Sequence, residues 1–118
     1  MQKITIIVNG TPYGTEGPYN ALRLAGALLS GQERAEVNLF LMADAVFSAK
    51  RGQDPPKGYY DVEQMLSDVI EKGASARLCG TCSKARGIGE EEIVNGSSIS
   101  SMIELSRLVT ESDKVICF

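Results

Sequence analysis

At 118 residues, with 43% hydrophobic and 23% charged residues, the chain has the size and make-up of one ordinary globular domain spanning 1–118. Its 12 Lys and Arg against 15 Asp and Glu leave a net charge of −3, so the basic footprint of a nucleic-acid binder is missing. Histidine is absent, which removes Ser-His-Asp and Cys-His catalysis, imidazole acid–base chemistry and histidine metal sites together.

The first apolar run, Ile4 to Val8, is continuous and β-branched, as a strand covered on both faces should be. Asn9-Gly10 closes it after too few apolar residues for a signal peptide. The loop Asn9 to Gly17 holds three glycines but neither a G-x-x-x-x-G-K-[ST] nor a G-x-G-x-x-G phosphate cradle, so no nucleotide cofactor is expected. Pro18 suits the first turn of a helix that buries Ala21, Leu22, Leu24, Ala25, Leu28 and Leu29 and ends at Ser30-Gly31. A second strand spans Glu36 to Met42, and Ala43 to Val46 turns from its carboxyl end into a short helix.

Lys50 to Tyr60, with Pro55-Pro56 and Gly58, is expected to be an exposed, mobile loop. Next comes the clearest helix, Val62 to Lys72. Asp61 can cap it with Gln64 in the capping-box position, and Val62, Met65, Leu66, Val69 and Ile70 share one face. Ala74 to Leu78 forms a third strand, Ile93-Val94 a short one, Ile99 to Thr110 a last helix, and Val115 to Phe118 a final strand whose Cys117 is expected in the core. This alternation predicts an α/β fold: a three-layer α/β/α sandwich with a mostly parallel central sheet of four or five strands. No run is long enough to span a membrane. Three cysteines without a secretion signal point to a reducing, cytoplasmic setting.

The chemistry concentrates in Cys79-Gly80-Thr81-Cys82, followed by Arg86-Gly87. A thiol at the carboxyl end of a parallel strand lies where open α/β sheets form their ligand crevice. Backbone amides of a helix start and a guanidinium one turn away favour thiolate over thiol. Zinc is disfavoured, since Cys117 is the only further thiol and structural zinc takes about four ligands. A thioredoxin-type dithiol is also disfavoured, because none of the four prolines follows the motif. Inert packed thiols remain open, as does a surface role for Arg86. Tyr13 and Glu16 of the first loop, and Asp44 after the second strand, should face the same crevice as binding or orienting groups. Turn formation and helix capping are the competing roles for all three.

Asn9-Gly10-Thr11-Pro12-Tyr13-Gly14-Thr15-Glu16, Phe40 to Val46, and Cys79-Gly80-Thr81-Cys82 with Arg86-Gly87-Ile88 together resemble the DsrE/DsrF-like family, in its YchN-like branch. The resemblance runs from Met1 to Phe118. It implies a parallel three-layer fold assembled into hexamers, although composition does not choose between homotrimer and homohexamer. It further implies that a cysteine placed like Cys79, with its Arg-Gly pair at Arg86-Gly87, carries sulfur as a persulfide. Cys82 departs from the relay proteins and matches the YchN-like branch, where a second thiol could discharge that persulfide. The expectation is a sulfurtransferase-like carrier that takes sulfane sulfur from a donor and passes it to an acceptor protein. Two alternatives stand beside it: a non-catalytic ligand-binding or assembly protein, and a dithiol redox protein.

Overall fold

The computed structural model describes residues 1–118. Its centre is a fully parallel five-stranded sheet in the order β4-β3-β2-β1-β5. The strands are β1 (Lys3–Val8), β2 (Glu36–Leu41), β3 (Ser75–Cys79), β4 (Ser97–Ser100) and β5 (Lys114–Cys117). The helices are α1 (Gly17–Ser30), α2 (Val62–Glu71), α3 (Gly80–Ala85) and α4 (Met102–Glu111), with a 3-10 segment at Ala43–Ala49.

Handedness explains how the helices are shared out. β1 to β4 step in one direction across the sheet, and right-handed crossovers put their connections on one face. The last step, β4 to β5, runs the other way, so α4 lies on the opposite face. The first face carries a 23-residue cluster in which Ile4, Ile6, Val8, Val37, Leu39, Leu41, Ala76 and Leu78 meet Leu22, Leu29, Leu66, Val69 and Val46. The second carries a cluster of four, Phe40, Cys79, Leu105 and Leu108, edged by Ile7, Met42 and Cys82. Toward the other end of the sheet this face turns polar: Ser75 Oγ and Asn38 Oδ1 are hydrogen-bonded at 2.6 Å, as are Thr5 Oγ1 and Ser112 Oγ.

Local sequence accounts for most helix ends. Asp61 Oδ1 accepts the Gln64 N–H at 3.0 Å at the start of α2, while the Gln64 side chain reaches forward to Asp68, leaving the capping box half made. Gly73 closes that helix with φ 113°, a conformation that favours glycine. Ser101 caps α4 by accepting the Glu104 N–H at 3.2 Å.

Three expectations need correction, and two others gain detail. Ile99 belongs to strand β4, not to the last helix, and Ile93-Val94 is not a strand, making only an isolated bridge from Ile93 to Lys50. Cys117 is exposed, because β5 is an edge strand. The loop after Lys50 is largely exposed, as expected, but it is tied down at Gln53. Gln53 Nε2 donates to the carbonyls of Ser48 and Lys50, and Gln53 Oε1 accepts from the Tyr13 hydroxyl at 2.6 Å and the Glu63 N–H at 3.2 Å. Finally, the place where strand order reverses, between β1 and β5, is closed by chain: Phe118 donates its N–H to Ile7 O, and Asn9 donates to Phe118 O. The thiols sit two strands away, at the carboxyl end of β3.

Candidate functional site

Cys79 ends β3 and is the residue from which α3 departs. Its Sγ accepts the Cys82 N–H at 3.4 Å. The turn is tight because of Gly80: a Cβ there would lie 2.7 Å from the Ser100 carbonyl oxygen, so any side chain would push α3 off the end of β4. Thr81 follows on the exposed side of the turn, contributing its amide to the Cys79 sulfur while its side chain faces solvent.

The two thiols occupy different surroundings. Cys79 is 7% exposed beneath Phe40, Leu105 and Leu108, whereas Cys82 is only partly buried, at the junction of both apolar clusters. Burial pushes the Cys79 thiol up, and its hydrogen bond to Cys82 adds to this against the Cys82 and Thr81 amides. Burial also opposes ionisation of Cys82, but there it is outweighed. The hydrogen bond from Cys79, the Ala43 amide and the Arg86 charge hold the Cys82 thiol below its ordinary range. Of the two thiols, Cys82 is thus the more readily ionised and Cys79 the less.

Arg86 connects this turn to the segment after β2. Its Nε donates to Asp44 Oδ1 at 2.9 Å and its Nη1 to the Cys82 carbonyl at 3.0 Å. Asp44 thus serves an ion pair and makes no helix-capping bond. Gly87 ends the turn at φ 70°. Beside Asp44, Ala43 has φ 51° and is the one non-glycine residue with positive φ. Sequence patterns offered no signal for it, since alanine carries no mark of a left-handed backbone.

The first loop does not join this cluster. The Tyr13 hydroxyl donates to Gln53 and accepts the Val62 N–H at 3.1 Å, which ties the loop to the start of α2; burial raises its phenol. The Tyr13 ring stacks on Tyr60, with centroids 5.8 Å apart. Glu16 is exposed at the start of α1 and makes no side-chain cap. Cys79, Gly80, Thr81, Cys82, Arg86 and Asp44 are thus brought together, and Tyr13 and Glu16 are elsewhere. All three cysteines are free thiols, and no three Cys, Asp or Glu side chains cluster as metal ligands would.

Relatives share this framework. Protein YchN of Escherichia coli K12 is 42% identical over 118 residues, covering both chains completely. The YchN crystal structure superposes with a TM-score of 0.94 over the full length of both chains. At greater distance, a sulfurtransferase TusD of Cronobacter sakazakii is 25% identical over 130 residues, covering 98% of this chain and 99% of its own. The profile described as DsrE/DsrF-like family matches residues 2–118, and the chain belongs to that family.

Proposed function

We propose that this protein handles sulfane sulfur: the Cys79/Cys82 pair receives a sulfur atom as a cysteine persulfide and yields it to the thiol of an acceptor protein. The observation that carries this reading is the arrangement of the pair. Two free thiols lie together at the carboxyl end of β3, the Cys82 N–H donating to Cys79 Sγ at 3.4 Å and the Arg86 guanidinium resting on the Cys82 carbonyl at 3.0 Å. Thiolate is the attacking species in sulfur exchange, and amides and a guanidinium favour it over the thiol. The distant likeness to a sulfurtransferase supports the same chemistry.

Self-association, as a trimer or hexamer, belongs to this proposal. Met102 and Ile103 of α4 are 58% and 83% exposed, and Val115 of β5 is 40% exposed, which leaves apolar surface on the thinly covered face. The proposed setting is a reducing compartment, the cytoplasm. No helix is long and apolar enough to cross a membrane.

The test is intact-mass measurement after incubation with a sulfane-sulfur donor. Wild type gains one sulfur atom, and the Cys79→Ser, Cys82→Ser double variant gains none. No gain on wild type defeats the proposal. A second reading, dithiol redox chemistry, is favoured by the closeness of the pair, the Cys82 N–H donating to Cys79 Sγ at 3.4 Å. It predicts loss of two hydrogens in a mild oxidant, with no sulfur uptake.

A further inference from the structure

We infer that Arg86, locked in place by Asp44, is the positioning residue of the sulfur site: it grips Cys82 by its carbonyl and so keeps the Cys82 N–H directed at the sulfur of Cys79, the thiol that bears the persulfide. This rests on the sulfur-handling reading above and assigns the groups that hold its reactive atom.

The turn needs an outside anchor. Helix α3 runs only from Gly80 to Ala85, too short to persist by its own backbone bonds. Its start is set against the end of β4, where a Cβ on Gly80 would come within 2.7 Å of the Ser100 carbonyl oxygen. Its far end is closed by local bonds, Arg86 N–H to Ser83 O, Gly87 N–H to Lys84 O and Ile88 N–H to Ser83 O. The bond from Arg86 Nε to Asp44 Oδ1, at 2.9 Å, is the one side-chain hydrogen bond between residues 79–87 and another element.

Three bonds in series lead from that anchor to the sulfur. Arg86 Nε donates to Asp44, Nη1 of the same guanidinium donates to the Cys82 carbonyl at 3.0 Å, and the Cys82 N–H donates to Cys79 Sγ at 3.4 Å. The guanidinium is planar and rigid, so its two nitrogens fix the Cys82 carbonyl relative to the Asp44 carboxylate. The carbonyl and the N–H of Cys82 flank one Cα, and holding the first limits the swing of the second. The anchor itself is held against strain. Ala43, which presents Asp44, has φ 51°, a left-handed backbone that costs an alanine free energy and persists where its surroundings impose it. Asp44 makes no helix-capping bond that would account for this placement. An ion pair whose side chains are 27% and 49% exposed stabilises a fold only slightly, which leaves the strain unexplained by stability alone.

Sulfur exchange gives the held amide its use. The Cys79 thiolate attacks the outer sulfur of a donor persulfide, R–S–SH. A bond forms from Cys79 Sγ to that sulfur, the donor's S–S bond breaks, and R–S⁻ leaves with the electron pair. The transferred sulfur keeps its hydrogen, and no net oxidation occurs. Onward transfer is the same exchange in reverse, an acceptor thiolate taking the outer sulfur and Cys79 leaving as thiolate. In both steps negative charge rests on the atom that the Cys82 N–H faces, and an amide donor favours that charged form.

The experiment feeds the full chain glutathione persulfide, maps the added sulfur by peptide mass after alkylation, and follows the initial rate of sulfur appearing on Cys79 against donor concentration, with thermal unfolding of each variant beside it. Asp44→Ala and Arg86→Gln should each slow the saturated rate about tenfold without raising the half-saturating donor concentration, as misplacement of a reacting atom does. The double variant should be no slower than the slower single one, because both break the same series of bonds. Asp44→Asn, whose side-chain oxygen still accepts from Nε, should recover to within about threefold of wild type. Arg86→Lys, which keeps the charge and loses the fork, should stay slow. Asp44→Ala loading at the wild-type rate, or Asp44→Asn as slow as Asp44→Ala at equal melting temperature, overturns this inference and leaves the sulfur-handling reading intact. A slow Arg86 variant restored by more donor does the same, since it places Arg86 on the donor. Should Asp44→Ala fail to fold, the contrast between Asp44→Asn and Arg86→Lys decides alone, and equal rates overturn the inference. No loading of wild type overturns both.

Discussion

The two faces of the sheet are built from the same strands yet perform different work. Leu39 and Phe40 are sequence neighbours, both fully buried, and point opposite ways. Leu39 enters the 23-residue cluster beneath α1 and α2, while Phe40 enters the cluster of four beneath α4. Apolar burial scales with area removed from water, so the first face supplies most of the stability. The second is thin, polar at one end and lined by a thiol at the other. The proposed chemistry sits on this sparsely packed face, where Cys82 is only partly buried.

The largest expected effect tests that division directly. Leu39→Ala should lower stability by about 3 kcal/mol in urea denaturation, within the range for buried leucines. Leu108→Ala on the thin face should cost about 2 kcal/mol, since a small cluster at the surface collapses more readily around a gap. Equal losses would break the contrast. Next comes a change in reactivity. Arg86→Gln removes a positive charge that favours the Cys82 thiolate, so the alkylation profile of that thiol should move to higher pH. Arg77→Gln, on the same face but paired with Glu104 at 3.6 Å, should leave that profile unmoved.

Two smaller effects sharpen the picture. Ala43→Gly relieves a left-handed alanine and should raise thermal stability by up to about 1 kcal/mol, glycine's greater chain entropy offsetting part of the gain. Ala43→Val should lower it, because β-branching resists that backbone. Ile103→Ser, at a site 83% exposed, should change folding stability by no more than about 0.5 kcal/mol. It should nonetheless reduce the mass of the assembly in sedimentation if α4 lies in a contact between copies.

The thick face was largely legible in the sequence. Continuous apolar runs such as Ile4 to Val8 and the helical spacing of Val62, Leu66 and Val69 carry the signal for buried parallel strands and a covering helix. The thin face was harder to read. Strand β4, Ser97–Ser100, has one apolar residue, Ile99, which fits the spacing of α4 equally well; only pairing with β3 makes it a strand. Cys117 looked internal because its neighbours are apolar, and edge position is a property of the sheet, not of the segment. At the site, the thiols and Arg86 stood out by type and spacing. Ala43 did not, for its contribution is a backbone angle and an amide direction set by groups distant in sequence. Tyr13 and Glu16 were placed by topology alone, and a hydrogen bond to Gln53 takes Tyr13 toward α2.

One contact links the thin face to whatever leans upon it. At Gly80 the missing side chain lets the thiol-bearing turn rest on the carbonyl of Ser100, and Ser101 immediately begins α4. The residue beside Cys79 and the strand end that leads into α4 therefore meet at backbone distance, with no side chain between them.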